Sequence, residues 1–179
     1  MHDWPDLRDT LQGIGWVIVG GVASRAYMPE RVTQDLDILV RRGDEKDVLT
    51  RLQDAGYQVV SEEAVPGYRL LSPEGVEVDL IVGEQRWLEE AVSRPEIDPA
   101  GYPVLGFPYL VLTKMNTGIS NDLGSVATML GWASVEQLQA VRAVVARYSP
   151  QDSEDLESLI FLGRQERRWP QSKERENAA

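Results

Sequence analysis

The chain has 179 residues, 42% of them hydrophobic and 26% charged, which suits one compact domain or a small α/β core with a helical extension. It has no cysteine and a single histidine, His2. That excludes disulfides, zinc–thiolate sites and cysteine nucleophiles, and leaves any histidine base or Ser-His-Asp triad only one candidate. The formal net charge of −11 disfavours a long phosphate backbone, and so extended duplex DNA, as a partner. The one basic-rich run, Arg164 to Arg168 with Lys173 and Arg175 beyond it, is interrupted by glutamates.

Catalysis in such a chain falls to carboxylates, hydroxyls, Lys or Arg, together with a hard cation. No apolar stretch approaches the length of a membrane span, and the N-terminus lacks the basic start and apolar run of a signal peptide. The expected location is the cytoplasm, with no membrane partner.

In chain order, Asp6 to Gln12 reads as a short helix. Ile14-Gly-Trp-Val-Ile-Val19 is an apolar run that ends at Gly20-Gly21, a buried strand closing in a tight turn. Val22 to Met28 suits a short helix stopped by Pro29. Leu36 to Val40 reads as a second strand, starting at or just before Asp35. Asp44 to Asp47 can cap a helix whose Val48, Leu49, Leu52 and Ala55 share a face, with Gly56 as its stop. Tyr68 to Ser72 and Val76 to Val82, joined by Pro73-Glu-Gly75, read as a hairpin. In its second arm Val76, Val78, Leu80 and Val82 face one way, and Glu77, Asp79 and Ile81 the other.

From Phe107 the pattern turns helical. Pro108 suits the first turn of a helix through Thr117, and Asn121 or Asp122 can start another through Leu130. Ser134-Val-Glu-Gln137 is a capping-box pattern for a helix to about Tyr148. A last helix is expected from Asp152 or Ser153 to about Arg168. The reading is therefore an α/β (α+β) fold: a core over 1–106 with a mixed twisted sheet and short helices, a helical region over 107–168, and a polar, disordered tail over 169–179.

Asp35 and Asp37 stand at i and i+2 of a strand, so their carboxylates share a face ~6–7 Å apart or nearer. At an effective dielectric of about 20 that is on the order of 2–3 kcal/mol of repulsion. A divalent cation removes it, and carboxylates converging on hard cations that also hold phosphate oxygens are the usual Mg²⁺ arrangement. The plainer alternative has Asp35 capping the strand and Asp37 paired with an arginine. Asp79 lies mid-strand on the face opposite the valines. If the two strands are neighbours, three carboxylates meet, and the third can also take a proton from a hydroxyl. Gly20 and Gly21 let backbone approach a phosphate, with a helix start behind them. Arg31 can bind a phosphate or pair with Asp35, and Thr33 can fix the loop through its hydroxyl. Trp132, Tyr109 and Tyr102 could stack on a base, but packing is the better reading of each; Trp87 reads as a core anchor.

The stretch Val17-Ile-Val-Gly-Gly-Val-Ala-Ser-Arg-Ala-Tyr27, followed by Arg31-Val-Thr-Gln-Asp35-Leu-Asp37-Ile-Leu-Val40 and the later Asp79, resembles the opening of the nucleotidyltransferase superfamily of DNA polymerase β type. The core resemblance spans about residues 14 to 83. A weaker one extends to about 130 and is similar to the small bacterial branch that includes AbiEii-like toxins. There Leu110-Val-Leu-Thr-Lys114 matches a Leu-x-x-x-Lys element, and Asn121-Asp122-Leu123 matches a basic-Asp-Leu step in part, with Asn121 in the basic place.

The resemblance implies Asp35 and Asp37 holding Mg²⁺ (or Mn²⁺) and a nucleoside triphosphate, with Asp79 completing the metal site and activating an acceptor hydroxyl. It also implies Gly20 and Gly21 binding the triphosphate and Lys114 stabilising charge on it, and Arg31 and Thr33 join them as nucleotide-binding candidates. The acceptor stays open between a small molecule, a protein side chain and an RNA end, and a cognate antitoxin is an implied partner. The alternative is a protein of this fold that binds nucleotide or another protein without turnover.

Overall fold

The computed structural model describes residues 4–28, 35–62, 66–116 and 120–176, with the side chains of 120–122 and 169–176 left out of the description. Among the described residues it is a mixed α/β protein with one seven-stranded sheet and seven α-helices. By its contacts the chain divides into two units, 1–26 with 30–106, and 107–179 with 27–29.

In the first unit, β1 (Trp16–Ile18) leads into the short α1 (Gly20–Ser24), and β2 (Asp35–Arg41) leads through a single 3-10 turn into α2 (Glu45–Asp54). Then come β3 (Gln58–Glu62), β4 (Gly67–Leu71), β5 (Glu77–Gly83), α3 (Leu88–Ser93), β6 (Glu96–Ile97) and β7 (Pro103–Val104). The sheet order is β3-β4-β5-β2-β1-β7-β6. β2 pairs in parallel with β5, and β1 in parallel with β7, while the other pairings are antiparallel.

The central pair follows from its alternation. Leu36, Ile38 and Val40 of β2 and Val78, Leu80 and Val82 of β5 are buried, and the residues between Leu36 and Ile38 and between Val78 and Leu80 are aspartates on the opposite face. The β4–β5 hairpin forms as its turn residues predict. The Ser72 N–H donates to the Val76 carbonyl, the Val76 N–H donates to Ser72 Oγ, and Gly75 takes φ +83°.

Several expectations change in the structure. Asp6 to Gln12 forms no helix, only turns over residues 8–13, although Leu7 and Leu11 are fully buried and joined by one helical-type hydrogen bond. The helix after Gly20-Gly21 includes both glycines and ends at Ser24, not Met28. Asp44 precedes α2 without capping it, because its carboxylate pairs with Arg41 at 2.6 Å. Leu49 is half-buried and Ala55 exposed, so Val48 and Leu52 alone anchor the apolar stripe of α2. β3, β6 and β7 were not expected. Trp87 is buried, immediately before α3.

The second unit is helical: α4 (Phe107–Asn116), α5 (Ser120–Trp132), α6 (Val135–Tyr148) and α7 (Ser153–Glu176). Phe107, Leu110, Val111, Val126, Leu130, Leu138, Val141, Val145, Leu156 and Ile160 supply its core. The capping box at Ser134 forms in full, with Gln137 N–H donating to Ser134 Oγ and Ser134 N–H donating to Gln137 Oε1. α5 and α7 cross at Gly131 and Gly163, whose backbones approach too closely for any side chain.

α7 runs past Arg168, through Pro170, to Glu176, where a disordered tail was expected. Lys173, Glu174, Arg175 and Glu176 are strong helix formers, and the proline does not end the helix. Among the described residues no helix is long and apolar enough to cross a membrane.

Candidate active site

The parallel register of β2 and β5 sets Asp35 beside Glu77 and Asp37 beside Asp79. Parallel neighbours in register point the same way, so these four carboxylates lie on one face of the sheet. Asp35, Asp37 and Asp79, all half-buried, each offer a carboxylate oxygen, and these oxygens lie within 4.8 Å of one another. Two oxygens on one octahedral Mg²⁺ are ~3–4 Å apart, so this donor set stands within about one to two ångströms of ligating one hard cation together. An all-oxygen, triply acidic set suits Mg²⁺ or Mn²⁺ and does not suit soft metals.

β1 delivers Gly20 to the same place. β1 runs antiparallel to β2, so its C-terminal end meets the start of β2, and the Val19 N–H donates to the Asp37 carbonyl at 2.9 Å. Gly20 takes φ +61°, a left-handed conformation that glycine adopts without penalty. A Cβ built on it would run into the Asp37 carboxylate, 2.6 Å from its Cγ. The approach that glycine permits in this structure is thus to Asp37. Ser24, at the end of α1, donates its hydroxyl to the Gly20 carbonyl at 2.7 Å and holds the turn closed.

Arg69 escaped the sequence reading, and Glu77, which that reading set on the same face as Asp79, had no role in it. Arg69 on β4 is the cross-strand partner of Asp79, and its Nε lies 3.1 Å from Asp79 Oδ1 and 2.7 Å from Glu77 Oε1. Counting outward from the Pro73-Glu-Gly75 turn would have found Arg69. The turn pairs Leu71 with Glu77, and two steps further it pairs Arg69 with Asp79. Arg69 brings a positive charge beside Glu77 and Asp79.

Arg31 and Thr33 lie outside the described residues, as does His2. Lys114 is on α4 in the second unit and is buried. Asn121 and Asp122 fall in the first turn of α5, with side chains outside the description. Each of the three aromatic residues lies against a neighbouring side chain, although Trp132 stays exposed. Tyr102 lies under the Arg8 guanidinium at 4.8 Å, Trp132 under that of Arg167 at 4.6 Å, and Tyr109 is tilted against Tyr148 at 6.4 Å.

No protein-family model matches the chain. An ADP-forming acetate–CoA ligase I of Archaeoglobus fulgidus is 29% identical over 133 residues, covering 74% of this chain and 18% of the ligase. The chain therefore spans less than a fifth of that relative's length. Among solved structures, the solution structure of the antibiotic-resistance factor ANT(2'')-Ia superposes with a TM-score of 0.47 at 13% identity, over 96% of this chain and 92% of the other. The crystal structure of ANT(2'')-Ia in complex with adenylyl-2''-tobramycin gives 0.49 at 15% identity, over 89% and 91%. A CCA-adding enzyme in complex with CTP gives 0.39 at 12% identity, over 79% and 41%.

Proposed function

We propose that this protein is a metal-dependent nucleotidyltransferase, passing a nucleoside monophosphate from an NTP to an acceptor hydroxyl with release of pyrophosphate. The observation that carries the reading is the meeting of Asp35, Asp37 and Asp79 from two separate segments, with ligand oxygens within 4.8 Å of one another. In the transfer, the acceptor oxygen bonds to the α-phosphorus, the bond from that phosphorus to the pyrophosphate oxygen breaks, and the hydroxyl proton leaves to a carboxylate. Bound Mg²⁺ or Mn²⁺ supplies charge neutralisation for the triphosphate. Asp35 and Asp37 hold it, and Asp79 completes the set and takes the proton. Placement and charge neutralisation supply most of the rate in such a reaction, and a rigid central strand pair suits that task.

Gly20 acts here by seating Asp37, with Gly21 following it in the turn. Arg31, Thr33 and Lys114 enter the reading as nucleotide-binding residues from the sequence alone. The acceptor is a small molecule, a protein side chain or an RNA end, and the acidic charge disfavours extended duplex DNA. The narrower reading, a cytoplasmic toxin with a cognate antitoxin, is supported by the Leu110-to-Lys114 element, and a helix-turn-helix regulator encoded next door would strengthen it.

The test is metal-dependent NTP turnover over a panel of acceptors, wild type against Asp37→Asn. Turnover that survives the substitution unchanged removes the mechanism. A second reading, binding without turnover, is favoured by Asn121 standing where the resemblance places a basic residue. Calorimetry separates the two, since a silent binder takes up nucleotide and releases no pyrophosphate.

A further inference from the structure

The three-carboxylate site has a fourth partner that competes for it. Arg69 Nε is shared between Asp79 Oδ1 at 3.1 Å and Glu77 Oε1 at 2.7 Å, and the arginine is half-exposed, with room to favour either. Asp79 is the more enclosed of the two acids, at 22% side-chain exposure against 46% for Glu77. Both of these contacts are made by Nε, so the two acids share one N–H. The hairpin register holds all three residues on the sheet face that carries Asp35 and Asp37.

We propose that Arg69 is a positioning residue that sets the cation affinity of the site: it acts as an internal counter-cation on Asp79, with Glu77 as its alternative seat. This rests on the cation-site reading above. A carboxylate that donates electron density to a guanidinium is a poorer ligand for a divalent ion, and a fixed positive charge one residue away repels that ion. When a divalent cation takes Asp79, Glu77 retains the guanidinium, so Arg69 withdraws without being left unpaired beside the metal. When the cation leaves, Arg69 limits the mutual repulsion of the acids. The arrangement trades affinity for exchange: the ion binds loosely enough to come and go with its nucleotide, and the sheet end stays intact between turnovers.

The experiment uses the full chain and Mn²⁺ alone as probe, with calorimetric affinity and melting temperature measured in EDTA and in saturating Mn²⁺. Arg69→Gln is expected to bind Mn²⁺ about tenfold more tightly, the direction that removing a positive charge a few ångströms from the ion dictates. It is also expected to melt below wild type in EDTA, with the gap closing in Mn²⁺. Glu77→Gln, which leaves Arg69 and Asp79 intact, is expected to weaken Mn²⁺ binding, because the guanidinium then rests on Asp79. That weakening should be much smaller in the Arg69→Gln background.

Equal destabilisation of Arg69→Gln with and without Mn²⁺, or unchanged affinity, means a purely structural arginine and overturns the proposal. Should Arg69→Gln fail to fold, unchanged Mn²⁺ affinity in Glu77→Gln overturns it instead. A wild type that neither binds nor is stabilised by Mn²⁺ overturns the cation site itself and this proposal with it. A stabilised wild type with an unresponsive Arg69→Gln overturns the role of Arg69 alone.

Discussion

The Asp37 carboxylate fills the space in which a side chain on residue 20 would have to begin. Gly20 is therefore required twice, for its left-handed backbone and for its missing Cβ. Gly20→Ala should strain the turn by about 1–3 kcal/mol and push Asp37 off its position. The expected outcome is a lower melting temperature together with a reduced stabilisation by Mn²⁺ and loss of NTP turnover. Thermal denaturation with and without the ion measures both, and a full Mn²⁺ response in this variant would show that Asp37 tolerates displacement.

In the second unit, a Cβ on Gly163 would meet the Ala127 carbonyl, with the carbonyl carbon at 2.7 Å and the Gly131 nitrogen at 2.8 Å. All of these are backbone atoms, and no rotamer change relieves the clash. Alanine ordinarily gains about 1 kcal/mol over glycine inside a helix. Here overpacking, typically about 1–3 kcal/mol and more against backbone, outweighs that gain. Gly163→Ala should lower stability in chemical denaturation, whereas Gly124→Ala, in the same bundle with open space around it, should not suffer that clash.

Ser134 caps α6 through a reciprocal pair of hydrogen bonds with Gln137. Ser134→Ala is expected to cost about 1 kcal/mol by freeing the Gln137 amide at the helix start. Ser134→Asp should recover most of the loss, because an aspartate accepts the same bond and favours the positive end of the helix dipole. Urea denaturation of the three proteins gives the comparison.

Burial pushes the Tyr57 hydroxyl up to about 12, with the Glu74 and Asp6 charges adding to the effect. The folded protein thus holds this proton more tightly than the unfolded chain, whose tyrosine titrates near 10. The associated stability is complete below pH ~10 and is lost as the pH rises through about 12, amounting to on the order of 2–3 kcal/mol at ~1.4 kcal/mol per pH unit. In Tyr57→Phe that part of the alkaline decline should disappear. Melting temperatures between pH 9 and about 12 for both proteins test it.

Elements whose side chains alternate or repeat cleanly were legible from the residues. β2, the β4–β5 hairpin, α4 and the capped α6 lie within a few residues of their expected bounds, since each carries its own periodicity and punctuation. β3 was missed because Val59 and Val60 are both exposed and give no alternation, as befits an outermost strand. β6 and β7, two residues each, exist only through their neighbours. In the site, the aspartates announced themselves as acids in an apolar strand. Arg69 did not, because an arginine in an alternating hairpin looks like any solvated residue until the register is counted. The service Gly20 gives Asp37 is likewise a relation across strands, invisible in a linear reading.

The parallel pairing of β2 with β5 makes the interior the ruler of the chemistry. Sliding one strand by a single residue would leave Val78, not Asp79, beside Asp37, and would turn one strand's apolar side chains toward water. Ile38 and Leu80, fully buried beneath the acids, hold that alignment. Repacking such residues could therefore silence the protein while every carboxylate stays in its sequence, and a search for damaging substitutions should look below the sheet surface as well as upon it.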